Sequence, residues 1–421
     1  MSLSAEKIQK EDEMTIGGRL SDEMDFGCEY SANLPKIFQS LNISLAFTSY
    51  QAGRLMLVRS DSESLDVNFK SFVRPMGLTA TENGFTLGVY TQVIQFHRED
   101  GLINKLKMPL QRIEDDVTAK KVAATPEEQI SLNVGKGFSD EENKKIKEEK
   151  EAFDEYQNKL YEPVDSRVDA CFIVRSSHFT GMINIHDIEW GDEGLWVVNS
   201  SFSCVSTLDP NYSFVPRWKP PFISDLAPED RCHLNGMTLK DGKPAFVTTF
   251  SKFDTPNKWR KNTVFDGTLI DVSSNEIVVD GLAMPHSPRW HNGKVYFCNS
   301  GLGQLCCYDP NTRVSRVLAE VQGFTRGIDF VGNILILGLS KVRESTVEKP
   351  APLAEKYAET FSGIWLFNLA DNTEIGHLKF TGNVDQIYDV AVIPDCTFPE
   401  VIEANHPRVR NHFCFPSLQP I

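Results

Sequence analysis

Three observations predict an all-β fold, a single six-bladed β-propeller closed by strands from both ends of the chain. The chain repeats one layout six times: polar residues, a small or turn-forming residue, then a short alternating strand. The repeats lie at Arg74–Leu78, Ile185–Trp190, Cys232–Met237, Pro285–Trp290, Thr325–Phe330 and Ile387–Val392. Their spacing suits four-stranded blades. With Asp187, Gly236, Pro288, Gly327 and Asp389 taken as equivalent, the intervals are 49, 52, 39 and 62 residues. The third observation is a mismatch at the termini. Three early strands lack an inner partner, and the last repeat is an inner strand with no successors.

Taken in order, residues 1–40 read as a polar tail or surface wrap, 41–395 as the propeller and 396–421 as a second tail. The early strands are Ser44–Tyr50, Arg54–Val58 and Leu65–Phe69. The missing inner strand is Tyr388–Ile393, and pairing it with the early strands removes the exposed edges of an open array. The next five repeats each continue through a tight turn into a second strand, as in Glu193–Val198.

The interval from Gly77 to Asp187, 110 residues, is too long for one blade. A charged, partly helical insertion at 110–165 accounts for the excess, placing a helix in the first complete blade. Ser139-Asp140-Glu141-Glu142 has the pattern of a helix cap, Glu141 and Lys145 are spaced as an i,i+4 pair, and Ile146, Phe153 and Leu160 recur every seven residues. Residues 139–160 are thus either a docking helix for a partner protein or a solvated helix resting on the propeller. The insertion follows the third strand of its blade and is expected on the face opposite the channel mouth. Two irregular loops, Phe250–Arg260 and Lys341–Ser362, follow second strands and are expected over the mouth.

Composition bounds the function. The chain has 421 residues, 41% apolar and 24% charged, with 27 Phe. No run approaches the roughly 18 apolar residues of a membrane span, and the first seven residues lack the apolar core of a signal peptide. A cytoplasmic protein without a membrane role is expected. Nine scattered cysteines with no Cys-x-x-Cys pair read as free thiols. A net charge of −15 argues against nucleic acid as a partner.

The strand heads carry the chemistry. His186, His233 and His286 occupy nearly equivalent places in consecutive repeats, with Asp187 and Asn235 beside them. Three neutral imidazoles can hold a divalent transition metal, Zn or Fe, with open positions for water or substrate. The alternative is that each imidazole hydrogen-bonds the turn that starts its strand. Arg74, Arg289 and Arg326 lie at strand heads, and Lys341 and Arg343 in a top loop. Guanidinium forks bind carboxylate or phosphate, so a small anionic molecule is the expected ligand, unless these cations only pair with nearby carboxylates. Asp187 and Tyr388 are the candidate catalytic residues, since either could move a proton. The two functions left open are a metal-dependent lyase or hydrolase and a non-catalytic ligand- or protein-binding scaffold.

Residues 45–394 resemble a family of conserved hypothetical propeller-like proteins, a domain of unknown function. The matching motifs are His186-Asp187-Ile188, Asn199–Cys204, Pro216–Phe222, Glu229–Gly236, Pro285–Trp290, Phe324–Gly327, Gly338–Ser345 and Tyr388-Asp389-Val390. The resemblance implies the propeller fold and assigns no reaction. The insertion at 110–165 departs from the family's shorter connection.

Overall fold

The computed structural model describes residues 25–110, 158–342, 349–404 and 406–417, with Lys144, Lys147, Glu148, Lys150, Glu151 and Glu155. It is a six-bladed propeller. The inner strands are β5 (Leu78–Thr81), β9 (Ile185–Gly191), β13 (Leu234–Lys240), β17 (Pro285–His291), β21 (Phe324–Val331) and β25 (Val390–Pro394). Each packs on the next around the axis, and β25 packs on β5.

The ring closes as expected from the termini. β2 (Ile43–Ser49) pairs antiparallel with β25, from Ile43 opposite Pro394 to Phe47 opposite Val390. β3 (Arg54–Ser60) and β4 (Leu65–Ser71) complete that blade. The blade headed by β5 continues through β6 (Gly84–Gly88), β7 (Gln92–Arg98) and β8 (Ala170–Phe179), so the long connection falls between its third and fourth strands. β10 to β12 (Gly194–Asn199, Cys204–Asp209, Tyr212–Trp218) follow β9, and β14 to β16 (Lys243–Thr249, Gly267–Asp271, Glu276–Leu282) follow β13. β18 to β20 (Lys294–Asn299, Gln304–Asp309, Val314–Glu320) follow β17, and β22 to β24 (Ile334–Ser340, Gly363–Asn368, Thr373–Phe380) follow β21.

Two devices inside the blades bear on the site. Tight turns set the inner hairpins: Asp241-Gly242 and Asn292-Gly293 have positive φ at both positions, the twist-matched geometry Asp-Gly and Asn-Gly favour. Near the opposite ends, register slips interrupt the pairing of β9, β13, β17 and β21 with their second strands. His186 and Asp187, Asn235, Ser287 and Pro288, and Arg326 and Gly327 lie in these bulges, which turn side chains away from strict alternation.

The stretch read as an N-terminal tail has structure from Cys28 onward. β1 (Cys28–Tyr30) adds a fifth strand to β24, and helix α1 (Leu34–Leu41) buries Leu34 and Phe38 in the core with Phe47, Phe380 and Ile387. By internal contacts, the chain divides into two compact units, residues 1–98 with 174–399 and residues 99–173 with 400–421. The first holds the inner strands. In the second, α2 (Ile103–Leu106) buries Leu106 with Cys171 and Ile402, and the buried Arg408 guanidinium donates to the carbonyls of Met108 and Leu160. The described positions from Lys144 to Lys159 are helical, with the ion pairs Lys144–Glu148, Lys147–Glu151 and Glu155–Lys159. Glu141, Lys145, Ile146 and Phe153 lie outside the described residues.

Candidate functional site

Six side chains from six blades stand at the heads of the inner strands. Arg74 precedes β5, His186 opens β9, His233 precedes β13, His286 opens β17, Arg326 opens β21 and Tyr388 precedes β25. All except half-buried Arg74 are at least nine-tenths buried.

The three imidazoles are held the same way. His186 Nδ1 lies 2.9 Å from the Asn184 carbonyl, and His286 Nδ1 lies 3.0 Å from the Met284 carbonyl and 2.9 Å from Ser300 Oγ. His233 Nδ1 lies 3.0 and 3.1 Å from the two carboxylate oxygens of Asp230. A carbonyl or carboxylate only accepts, so each Nδ1 carries a proton, and on a neutral ring the Nε2 at the opposite edge is then a bare lone pair. Among the described residues no hydrogen bond reaches any of the three Nε2 atoms. The acceptors behind them are in a left-handed conformation: Asn184, Met284 and Asp230 have φ of 52°, 52° and 46°. For Met284 that conformation costs on the order of 1 kcal/mol, and such strain gathers where a chain must aim a group.

An aromatic wall surrounds them. His186 meets His233 at 4.8 Å between ring centroids, and Trp259 stacks on His233 at 4.0 Å. Phe250 packs its edge against both His233, at 4.6 Å, and His286, at 5.1 Å, and Phe324 follows at 5.5 Å from His286. Burial depresses the basicity of His186 and His286. The neighbouring imidazoles and Arg326 push the same way, so both stay neutral near pH 7.

Arg326 completes the ring. Its guanidinium lies over the Tyr388 ring at 3.8 Å and 5.8 Å from the Tyr50 centroid. It makes no ion pair among the described residues, and its Nε finds no acceptor. The Tyr388 hydroxyl has no partner in ordinary hydrogen-bond geometry, and burial makes it a weaker acid although Arg326 opposes the effect. Arg74, over the Tyr90 ring at 5.9 Å, makes no ion pair among the described residues.

A second layer lies beside this one and is fully paired. Arg289 takes Asp187 bidentately at 2.7 and 3.0 Å, reaches Asp389 at 3.4 Å and donates to the Met237 carbonyl. Asp187 also accepts the Ile188 and Met237 amides, at 3.0 Å each. The Met237 bond belongs to a lacing in which a side-chain oxygen at one inner strand holds an amide of the next, at five of the six joints of the ring. Thr238 holds Trp290, Ser287 holds Gly327, Asp329 holds Val392, and Asp389 holds Leu78. Burial pushes the Asp389 carboxyl up, with Arg289 opposing and Asp187 assisting, and it pushes Glu189 up to about 7.

The expected site residues therefore separate. His186, His233, His286, Arg326 and Tyr388 come together, with Arg74 near enough to depress His186. Asp187 and Arg289 sit in the paired layer, bonded to each other. Asn235 Oδ1 accepts from Thr248 at 2.7 Å, and its Nδ2 has no partner. Lys341 pairs with Asp385, and Arg343 lies outside the described residues. For the expected Zn or Fe, the bare Nε2 atoms have suitable chemistry, but among the described residues no group of three His, Cys, Asp or Glu side chains could hold an ion. Phe250, in contact with both rings, stands between His233 and His286. Asp230 and Trp259 gave no separate signal in the sequence. Asp230 sits inside the motif of His233, and Trp259, whose indole donates to Asp230 at 3.1 Å, comes from the loop at 250–260.

The family model described as "Domain of unknown function (DUF4915)" matches residues 32–126 and 141–402. No curated protein matches the chain. Among solved structures, the chain is similar to one described as "Crystal structure of Nidogen/Laminin Complex", with 8% identity and a TM-score of 0.43 over 84% of this chain and 99% of that one. It is also similar to TolB from Acinetobacter baumannii, with 9% identity and a TM-score of 0.40 over 85% of this chain and 66% of that one.

Proposed function

As the chain belongs to the DUF4915 family, a domain of unknown function, we propose from the site's geometry that the mouth of the propeller axis binds a small anionic molecule, with Arg326 as its anchor. The observation that carries this reading is a nine-tenths buried guanidinium with no carboxylate partner among the described residues. A buried charge is costly unless paired, and cation–π contact with Tyr388 recovers only part of that cost. A carboxylate or phosphate would supply the missing charge and acceptors. Tyr388 can donate its hydroxyl, and Arg74 adds a second positive charge. His186 and His286, neutral near pH 7, leave that charge localised on the arginines. The reading includes no metal step.

Thermal unfolding with and without inorganic phosphate or citrate tests it. Binding to the folded state raises the midpoint by mass action. The wild type should respond to at least one anion, Arg326→Lys should respond more weakly for want of the planar fork, and Arg326→Met should not respond. Equal responses from wild type and Arg326→Met would remove Arg326 as the anchor.

A further inference from the structure

Resting on that reading of the site, we infer that its ligand is an anionic polyol: a molecule carrying one carboxylate or phosphate and several hydroxyl groups, with a hydroxyl seated on His233 Nε2. An anion-binding site made for a bare carboxylate or phosphate needs donors throughout. This one has donors on one side, from Arg326 and Tyr388, and three lone-pair acceptors on the other. Each Nδ1 proton is committed to an acceptor behind the ring, at Asn184, Asp230 or Met284, so none of the three Nε2 atoms can donate to an anion's oxygen while its ring is neutral. Burial, Arg326 and the imidazoles themselves oppose protonation of His186 and His286. Bare lone pairs facing a fully ionised oxygen would repel it. Facing hydroxyl groups, they accept.

The three acceptors are not equal. His186 and His286 lean on carbonyls, whereas His233 leans on a carboxylate that is itself fixed by Trp259. A carboxylate behind an imidazole fixes its tautomer and holds the ring in place, so on the neutral ring His233 Nε2 is the most firmly oriented hydroxyl acceptor of the set. The walls suit the same molecule. Phe250, Phe324 and Tyr388 offer apolar ring surface to the carbon skeleton of a polyol, while the polar groups meet its oxygens. A ligand bearing an ammonium group fits less well, because Arg326 and Arg74 already crowd the site with positive charge and the Asp230 carboxylate is engaged by His233 and Trp259.

Matched pairs of ligands test this on the full-length protein by calorimetric titration: gluconate against hexanoate, and glycerol 3-phosphate against propyl phosphate. The two pairs also separate the carboxylate from the phosphate. The hydroxylated member of at least one pair should bind roughly tenfold or more tightly, the scale of one good hydrogen bond to a polarised acceptor. Asp230→Asn should narrow that preference while leaving the affinity for the deoxygenated partner unchanged. Trp259→Phe, which keeps an aromatic ring beside His233 but removes the indole donor behind Asp230, is the milder variant should Asp230→Asn fail to fold, and it should narrow the preference partially. Equal affinity within both pairs overturns the polyol inference and leaves the anion site standing. A preference untouched in both variants overturns the seat on His233. If none of the four ligands binds and Arg326→Met is indistinguishable from wild type, the anion site itself fails, and the inference with it.

Discussion

Two buried arginines on neighbouring inner strands meet opposite fates. Arg289 is closed on every side, by Asp187, Asp389 and the carbonyls of Met237 and Pro288. Arg326 has only aromatic faces and an Nε without an acceptor. The first belongs to a layer in which charges cancel and hydrogen bonds lace one blade to the next. The second belongs to a layer of unused donors and acceptors. Burial and residue type do not separate them, but their partners do. A buried charge fully paired within the chain holds the fold, and one left short is available to something outside it.

The severest way to break the contrast is to end the chain at Asn383, which removes β25 with Asp389 from one layer and Tyr388 from the other. Loss of an inner strand reopens the ring, and cooperative unfolding should disappear, seen as a flat calorimetric trace. Next in size is Arg289→Met. It leaves two buried carboxylates uncompensated and should cost about 3–5 kcal/mol by urea denaturation, whereas Arg326→Met should shift stability by less than about 1 kcal/mol in either direction. Similar losses in the two variants would erase the distinction between the layers.

The smallest effect is the pH profile, where the layers differ in sign. Glu189, raised from 4.5 to about 7 mainly by burial, holds its proton more tightly when folded. Its contribution is full below pH 4.5 and is lost as the pH rises through about 7. His186 and His286 are lowered from 6.5, so they hold protons less tightly when folded and cost stability as the pH falls below 6.5. Glu189→Gln should flatten the loss between pH 5 and 8, and His286→Gln the loss on the acid side, both read from urea midpoints. A Glu189→Gln profile parallel to wild type would show that this carboxyl does not titrate in that window.

Ring closure was legible in the sequence because strand patterns are local and the mismatch between the termini is a matter of counting. The six strand heads were legible for the same reason, and the side chains that stand at them, Arg74, His186, His233, His286, Arg326 and Tyr388, could all be named as site candidates. What could not be read is which layer each belongs to. His186 and Asp187 are adjacent, yet one enters the open layer and the other the paired one, through a bulge that has no sequence signature. Arg289 and Asp187 are 102 positions apart, and no period in the chain links them. β1, three residues long, is too short to show alternation.

The lacing has a further consequence, which is mechanical. Five of the six joints between inner strands carry a side-chain oxygen holding the next strand's amide. Between β5 and β9, among the described residues, that bond is replaced by close packing: a Cβ on Gly77 would sit 3.1 Å from the Asp187 backbone. The same two blades are joined by the Trp190 indole of β9 on Thr86 of β6, a bond between two side chains. A hoop with five latched joints and one pressed joint has a preferred place to part. That joint lies between the blade interrupted by the long connection and the blade that carries His186.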